Sequence, residues 1–262
     1  MISREIKPLL RIGNTEKVTY GIYQFIKHKF KNKLGRKYKL SLIEQLVITL
    51  FKLKYNLPDR VLENLVNVDH VTISRAITRM VIYMSHIKIK PTANSNDYYV
   101  VDSTTISIGR GKTKKDYSGY KHYHGLKYQV ICDSNKEIIS VSKGYESSLH
   151  DKKLFLMEYE NIVNKLTKNL LILGDKAYVG LENKQVLTSS KINEKRYKID
   201  PVQAKINNNL LNKKRVKIEH IFAQMKNYRI IRQANCCAKH KLDLIVKSTA
   251  NILTISHNMS VA

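Results

Sequence analysis

The residues of this chain best equipped for chemistry are its scarce acids. Only 21 Asp and Glu stand against 47 Lys and Arg, so an acid in an apolar or basic setting needs a reason. Asp102 lies within YYVVDSTTI, Asp175 ends the run NLLILGD, and Glu219 is the sole acid between Asp200 and Asp243. A carboxylate on a buried strand is poorly hydrated and costs free energy without a partner. Taken singly, each acid is accounted for by a salt bridge, a hydrogen-bonded turn or a helix cap. Taken together, in the order strand, strand, late helix, they meet another demand. Hard Mg²⁺ or Mn²⁺ ions prefer carboxylate oxygens and water. Two such ions about 3.5–4 Å apart can hold the attacking and leaving oxygens of an in-line phosphoryl displacement. A carboxylate on a central strand would bridge both ions, and one acid to either side would complete each shell.

The surroundings of Glu219 extend this reading. Arg215, Glu219 and Lys226 stand at i, i+4 and i+11 in a basic helix, NKKRVKIEHIFAQMKNYR. At 3.6 residues per turn they fall within about 60° of one another. One face would then offer a metal ligand flanked by two phosphate-binding cations. The same spacing also describes a solvated basic helix with one Arg–Glu pair.

The elements that position these residues follow from the pattern. Residues 41–54 place Ile43, Leu46, Val47, Leu50 and Leu53 on one helical face. Pro58 and Asp59 open a second short helix with Val61, Leu62 and Leu65 apolar, and Asn67 to Asp69 make a turn. A third helix starts near Val71 and carries Thr72, Ser74, Arg75, Thr78 and Arg79 on its polar side. This is the pattern of a helix-turn-helix whose third helix reads DNA through residues 71–80; a plain three-helix bundle fits it as well. The loop PTANSN, residues 91–96, is the best boundary, giving domains 1–94 and 95–262. Beyond it the period becomes that of strands. Strands are expected over 98–108, 126–132 and 137–145, a helix over 150–166, and a buried strand over 170–173. A helix near 181–189, a strand near 196–200 and a long helix over 210–228 complete the order. That order is α/β: a mixed central sheet with helices on its faces, preceded by an all-α domain.

The charge names the partner. The chain has 262 residues and a formal charge of +26, with a pI near 9.9. At 43 % hydrophobic residues it can build a core, so the charge sits on a folded surface and suits a polyanion, nucleic acid above all. A solvated surface shaped by an AT-rich genome is the plainer account of the same number. No apolar run is long enough for a membrane span, and the first residues lack the apolar core of a secretory signal. Cys132, Cys236 and Cys237 form neither a disulfide framework nor a thiolate zinc site. A cytoplasmic location is expected. GRGKT, residues 109–113, lacks the first glycine of a P-loop, because Ile106 stands there. Asp151, beside His150, is expected to cap a helix. Tyr117, Tyr120, Tyr123 and Tyr128, interleaved with Lys and His, suit either packing on DNA or an ordinary strand surface.

These motifs, in this order, resemble those of the DDE transposases of bacterial insertion sequences, in the branch related to the Harbinger elements. Asp102 in VVDSTTI resembles the first catalytic Asp. Tyr117, Ser118, Gly119, Lys121, His124 and Lys127 resemble the Y-S-G-x-K…H-x-x-K stretch. His150 and Asp151 match an H-D pair, GDKAYVG with Asp175, Tyr178 and Gly180 matches the second-Asp motif, and Arg215, Glu219 and Lys226 match R-x₃-E-x₆-K. The resemblance covers nearly the whole chain. It implies an RNase H-like core in which Asp102, Asp175 and Glu219 are catalytic and bind two Mg²⁺ ions, with Mn²⁺ able to substitute. It implies cleavage and strand transfer on double-stranded DNA, at element ends and target, by a homodimer associated with the nucleoid. DNA contacts are expected from Thr72, Ser74, Arg75, Arg79, Lys121, His124, Lys127, Arg215 and Lys226, with His150 and Asp151 beside the ligands. Asn212 departs from a usual Tyr, and Tyr120 and Gly125 from a usual Lys and Thr; none of these is a ligand.

Overall fold

The computed structural model describes residues 16–28, 38–89, 98–109, 113–119, 121–166, 171–189, 201–234 and 238–261. Residues 29–37 of the densest basic run, the loop 91–96, residues 110–112, Tyr120, Cys236, Cys237 and the strand expected over 196–200 lie outside them. The chain divides into two compact units, residues 1–90 with 224–262 and residues 91–223. Among the described residues no helix is long and apolar enough to cross a membrane.

The first unit begins with four helices, α1 (Glu16–Ile26), α2 (Leu42–Tyr55), α3 (Asp59–Val66) and α4 (His70–Ser85). Local chemistry sets their limits. Ser41 and Glu44 form a reciprocal capping box at the start of α2. Asn56 and Asn67 end α2 and α3 in the left-handed region, with φ 52° and 53°, where asparagine is tolerated. Asp69 caps α4 by accepting from the Thr72 N–H at 3.0 Å. Val47, Ile48, Phe51, Leu62, Val66, Val68, Ile73 and Ala76 fill the core between α2, α3 and α4. On α3 the buried positions are Leu62 and Val66, whereas Val61 and Leu65 are exposed.

The second unit is a mixed sheet of seven strands. β1 (Tyr99–Ser107) is followed by the two-residue β2 (Tyr117–Ser118), β3 (Tyr123–Asp133), β4 (Ile138–Val141) and β5 (Tyr145–Glu146). α5 (Asp151–Val163), β6 (Ile172–Leu173), β7 (Val186–Leu187) and α6 (Pro201–Lys226) complete it, and α6 runs on across the boundary at residue 224. β3 pairs antiparallel with β1 from Tyr99↔Asp133 to Ser107↔Gly125, and with β2, β4 and β5. β6 lies parallel to β1, and β7 parallel to β6. The order β4-β3-β1-β6-β7, with antiparallel strands first and parallel strands last, is the RNase H-like sheet. On one face Tyr99, Val101 and Ile131 pack with Phe155, Ile162, Ile172, Tyr178, Leu181 and Val186.

Two expected elements take another form. The strand over 137–145 is split, because Ser142 Oγ accepts from the Gln129 N–H and donates to the Lys143 carbonyl, interrupting the edge. The helix near 181–189 is a 3-10 turn, Glu182–Lys184, then strand β7. Gln185 ends that turn at φ 59°, and Val186 is buried in the sheet. α6 starts at Pro201, nine positions before the expected Leu210; proline suits a first helical position.

The first unit is completed by the short α7 (Arg229–Arg232) and by α8 (Lys239–Val261). Ser248 Oγ donates to the Val81 carbonyl and Asn251 Nδ2 to the Met84 carbonyl, both at 2.8 Å, tying α8 to α4. Gly21 of α1 faces Ile255 and Met259, and a Cβ there would lie 2.5 Å from the Met259 sulfur.

Candidate active site

Two acids are brought near one another by the pairing of β1 with β6 and the turn that follows β6. Val100 of β1 is level with Leu173 of β6 in the parallel pair. Two residues further along stand Asp102, still on β1, and Asp175, two residues past the end of β6 and near enough for its charge to act on Asp102. Because side chains alternate along a strand, Asp102 projects from the face opposite Val101 and Ile131. Its Oδ1 accepts from the Ser103 N–H at 2.7 Å, and its Oδ2 lies 3.9 Å from Arg215 Nη2 on α6. Asp175 caps a 3-10 turn, Lys176–Tyr178, its Oδ1 accepting from the Ala177 N–H at 2.9 Å. Glycine precedes it, at Gly174, where a Cβ would stand only 3.0 Å from Tyr178 Cβ and Cγ, so a larger residue would press on that ring.

Electrostatics mark this as a place short of positive charge. Burial, foremost, raises the Asp102 carboxyl from 3.8 to about 6; Asp175 and Asp151 push the same way, against the Ser103 N–H and Arg215. Tyr178 lies fully buried behind the acids, its hydroxyl accepting from Gln129 Nε2 at 3.1 Å. Burial and then the charges of Asp151, Asp102 and Asp175 raise its phenol well above the usual range. An oxygen-rich pocket in which a carboxylate is disfavoured fits a hard cation. Asp102 and Asp175 present the carboxylates that could hold it.

Glu219 stands apart from this pair. It is exposed on α6 and makes no hydrogen bond or ion pair with any described residue. Arg215 is the α6 residue that meets Asp102, and Glu219 follows it by one helical turn, about 6 Å along the axis and about 40° around it. Arg215 itself is mostly buried, and among the described residues its buried Nε finds no partner. Lys226 is the exposed last residue of the helix. α6 is tied to the sheet by Lys217, whose ammonium donates to the Tyr98 hydroxyl and the Ser134 carbonyl.

The other expected positions divide into available and engaged. Ser74, Arg75 and Thr78 are exposed on α4 and Thr72 is half-buried. Arg79 is engaged: its guanidinium donates to Gln45 Oε1 at 2.6 Å and covers the Tyr38 ring. Lys121 is exposed in the turn after β2, and the His124 ring rests edge-on against Tyr117 with Nδ1 buried and unpartnered. Lys127 is turned inward, 3.0 Å from Asp151 Oδ1 and bonded to the Leu149 carbonyl. Tyr128 is fully buried and offers nothing to DNA. The cap of α5 is His150, whose Nδ1 accepts from the Lys152 N–H, and not Asp151 as its position suggested. Asp151 instead accepts from Ser103 Oγ at 2.5 Å. Sequence reasoning passed over Ser103 and Gln129, which are brought together only by the β1–β3 register, Ser103 opposite Gln129.

Among the described residues, one group of three potential ligands has its donor atoms within 4.8 Å of one another, Glu63, Asp69 and His70. It lies at the α3–α4 turn, where the Asp69 cap and a 3.1 Å contact between His70 Nδ1 and Glu63 Oε2 account for it.

A family model described as DDE superfamily endonuclease matches residues 101–254. Among solved structures, the Mos1 transposase paired-end complex with left transposon end is similar at 9 % identity and a TM-score of 0.26, over 87 % of this chain and 85 % of that one. No curated protein matches the chain.

Proposed function

The chain belongs to the DDE superfamily endonucleases, and from that premise we propose that it is the transposase of a bacterial insertion sequence, cutting and joining DNA at the element's ends. The observation that carries the reading is the nearness of Asp102 on β1 and Asp175 just past β6, whose charge acts on the raised Asp102 carboxyl, with Arg215 at its edge. Divalent cations held by Asp102, Asp175 and Glu219, Mg²⁺ with Mn²⁺ able to substitute, would supply charge neutralisation and Lewis acidity for in-line phosphoryl displacement. The chain's own groups do the rest. Asp102 presents its oxygens from β1 and Asp175 from the turn after β6, and Glu219, exposed on α6 one turn from Arg215, would complete the set once cations draw it in. Arg215, beside Asp102, steadies the scissile phosphate, and Lys226 takes a phosphate further along. On the helical unit, Ser74 and Arg75, with Thr72 and Thr78, read the terminal repeat from the exposed side of α4. Lys121 and His124 add contacts from the sheet. Hydrolysis frees a 3′ hydroxyl at the element's end, which the same acids then direct onto target DNA. A homodimer would hold both ends, in the cytoplasm where the nucleoid lies.

The test uses duplexes carrying the inverted repeats that flank the gene. Mg²⁺-dependent nicking at the repeat boundary and a joined product are expected, with nicking lost by a factor of about 10³ or more in Asp102→Ala. Cutting that ignores the repeats and joins nothing would make the protein a nuclease. Tight repeat-specific binding without any cutting would make it a DNA-binding protein.

A further inference from the structure

We propose that Asp151 is a positioning residue for Asp102, acting across the sheet through Ser103, and that Lys127 is its counter-ion rather than a DNA contact. The proposal rests on the reading of Asp102 as a metal ligand.

Register separates the two carboxylates onto opposite faces. Ser103 pairs with Gln129 and Thr105 with Lys127, so these four side chains share the face away from Asp102. Ser103 alone touches both sides. Its backbone N–H donates to Asp102 Oδ1 at 2.7 Å, and its hydroxyl donates to Asp151 Oδ1 at 2.5 Å. Lys127 Nζ lies 3.0 Å from that same Asp151 oxygen and 2.5 Å from the Leu149 carbonyl, just before α5. With His150 serving as the cap of α5, the Asp151 side chain is free to point at the sheet.

The consequence is directional. The ion pair with Lys127 fixes Asp151, and Asp151 fixes the Ser103 hydroxyl by a charge-assisted bond. Ser103 in turn holds the peptide whose N–H grips Asp102 Oδ1. Oδ2 is left as the oxygen facing Arg215 and the open side of the site. Groups that orient a ligand in this way typically set metal affinity by about 10- to 100-fold. Lys127 does this with an ammonium that is mostly buried and already engaged twice, which leaves little of it for a phosphate.

The experiment titrates the full-length, DNA-free protein with Mn²⁺, reading free Mn²⁺ by electron paramagnetic resonance, and separately measures binding to a random duplex without metal. Ser103→Ala, Asp151→Asn and Lys127→Met are each expected to raise the Mn²⁺ Kd about tenfold, with Ser103→Thr restoring it to within about twofold of wild type. Duplex affinity in Lys127→Met should be unchanged. The reverse pattern, an unchanged Mn²⁺ Kd with weaker duplex binding and a salt slope reduced by about one, would overturn the proposal. Asp102→Asn separates the two levels of the argument. If it abolishes tight Mn²⁺ binding while Ser103→Ala and Asp151→Asn bind as wild type, the relay is wrong and the metal site stands. If Asp102→Asn binds Mn²⁺ as wild type does, both are wrong. Should Asp151→Asn fail to fold by circular dichroism, the contrast between Ser103→Ala and Ser103→Thr decides alone.

Discussion

Burial and neighbouring carboxylates raise the Asp102 carboxyl from 3.8 to about 6, and that shift has a cost to folding with a definite sign. The folded state holds the proton more tightly than the unfolded chain does. The stabilisation is therefore complete below about pH 4 and is lost as pH rises through about 6. At neutral pH the ionised carboxylate destabilises the metal-free protein by up to about 3 kcal/mol, taking 1.36 kcal/mol per unit. Asp102→Asn, which keeps an oxygen for the Ser103 N–H, is expected to be more stable than wild type at pH 7 and equal to it at pH 4. Urea denaturation at the two pH values checks this, and a variant less stable than wild type at pH 7 would refute it. At this scale the sequence singles out Asp102 and Asp175, because an acid in or beside an apolar strand is conspicuous wherever the strand ends up. It was silent about Ser103 and about the Lys127–Asp151 ion pair, since a serine and a lysine are unremarkable until the fold shows what they face.

Helix α4 shows how much a single element decides. Its exposed line runs through Val71, Ser74, Arg75, Thr78 and Ile82, while Ile73, Ala76 and Met80 are buried. Arg75 is free to meet a phosphate or a base edge, whereas Arg79 is held by Gln45 and Tyr38. Arg75→Ala should therefore weaken DNA binding and lower the slope of log K against log salt by about one, with the helix intact by circular dichroism. A salt titration showing no change in slope would remove Arg75 from the contact set. The limits of the N-terminal helices were legible because caps are local: Ser41, Asn56, Pro58, Asn67 and Asp69 act within a few residues of themselves. The segment after Gly180 was not, because Val186 and Leu187 become a strand only by pairing with β6. An isolated apolar pair carries no trace of such a partner.

Across the whole molecule, the chain leaves the helical unit near residue 90 and returns to it at 224. α8 contributes Leu242, Val246 and Ile252, all nearly inaccessible to solvent, to that unit. Ending the chain after Ala223 would strip this packing from α1 and α4. Limited proteolysis with mass spectrometry is then expected to cut first within residues 16–89, and resistance equal to that of the full chain would contradict it. The return of α8 was not legible: its apolar spacing says that it packs, but not against what. The sheet unit raises a different matter. Tyr178 is wedged between Gly174, Gln129 and Phe155 at the back of the acids, so the floor under the acids is also a wall of the oily interior. Substitutions at Phe155 or Leu181, remote from any charge, would tilt that floor by tenths of an ångström long before they melted the protein. A random library sorted for variants that stay folded yet cannot cut should therefore be rich in greasy positions, not just in acids and bases.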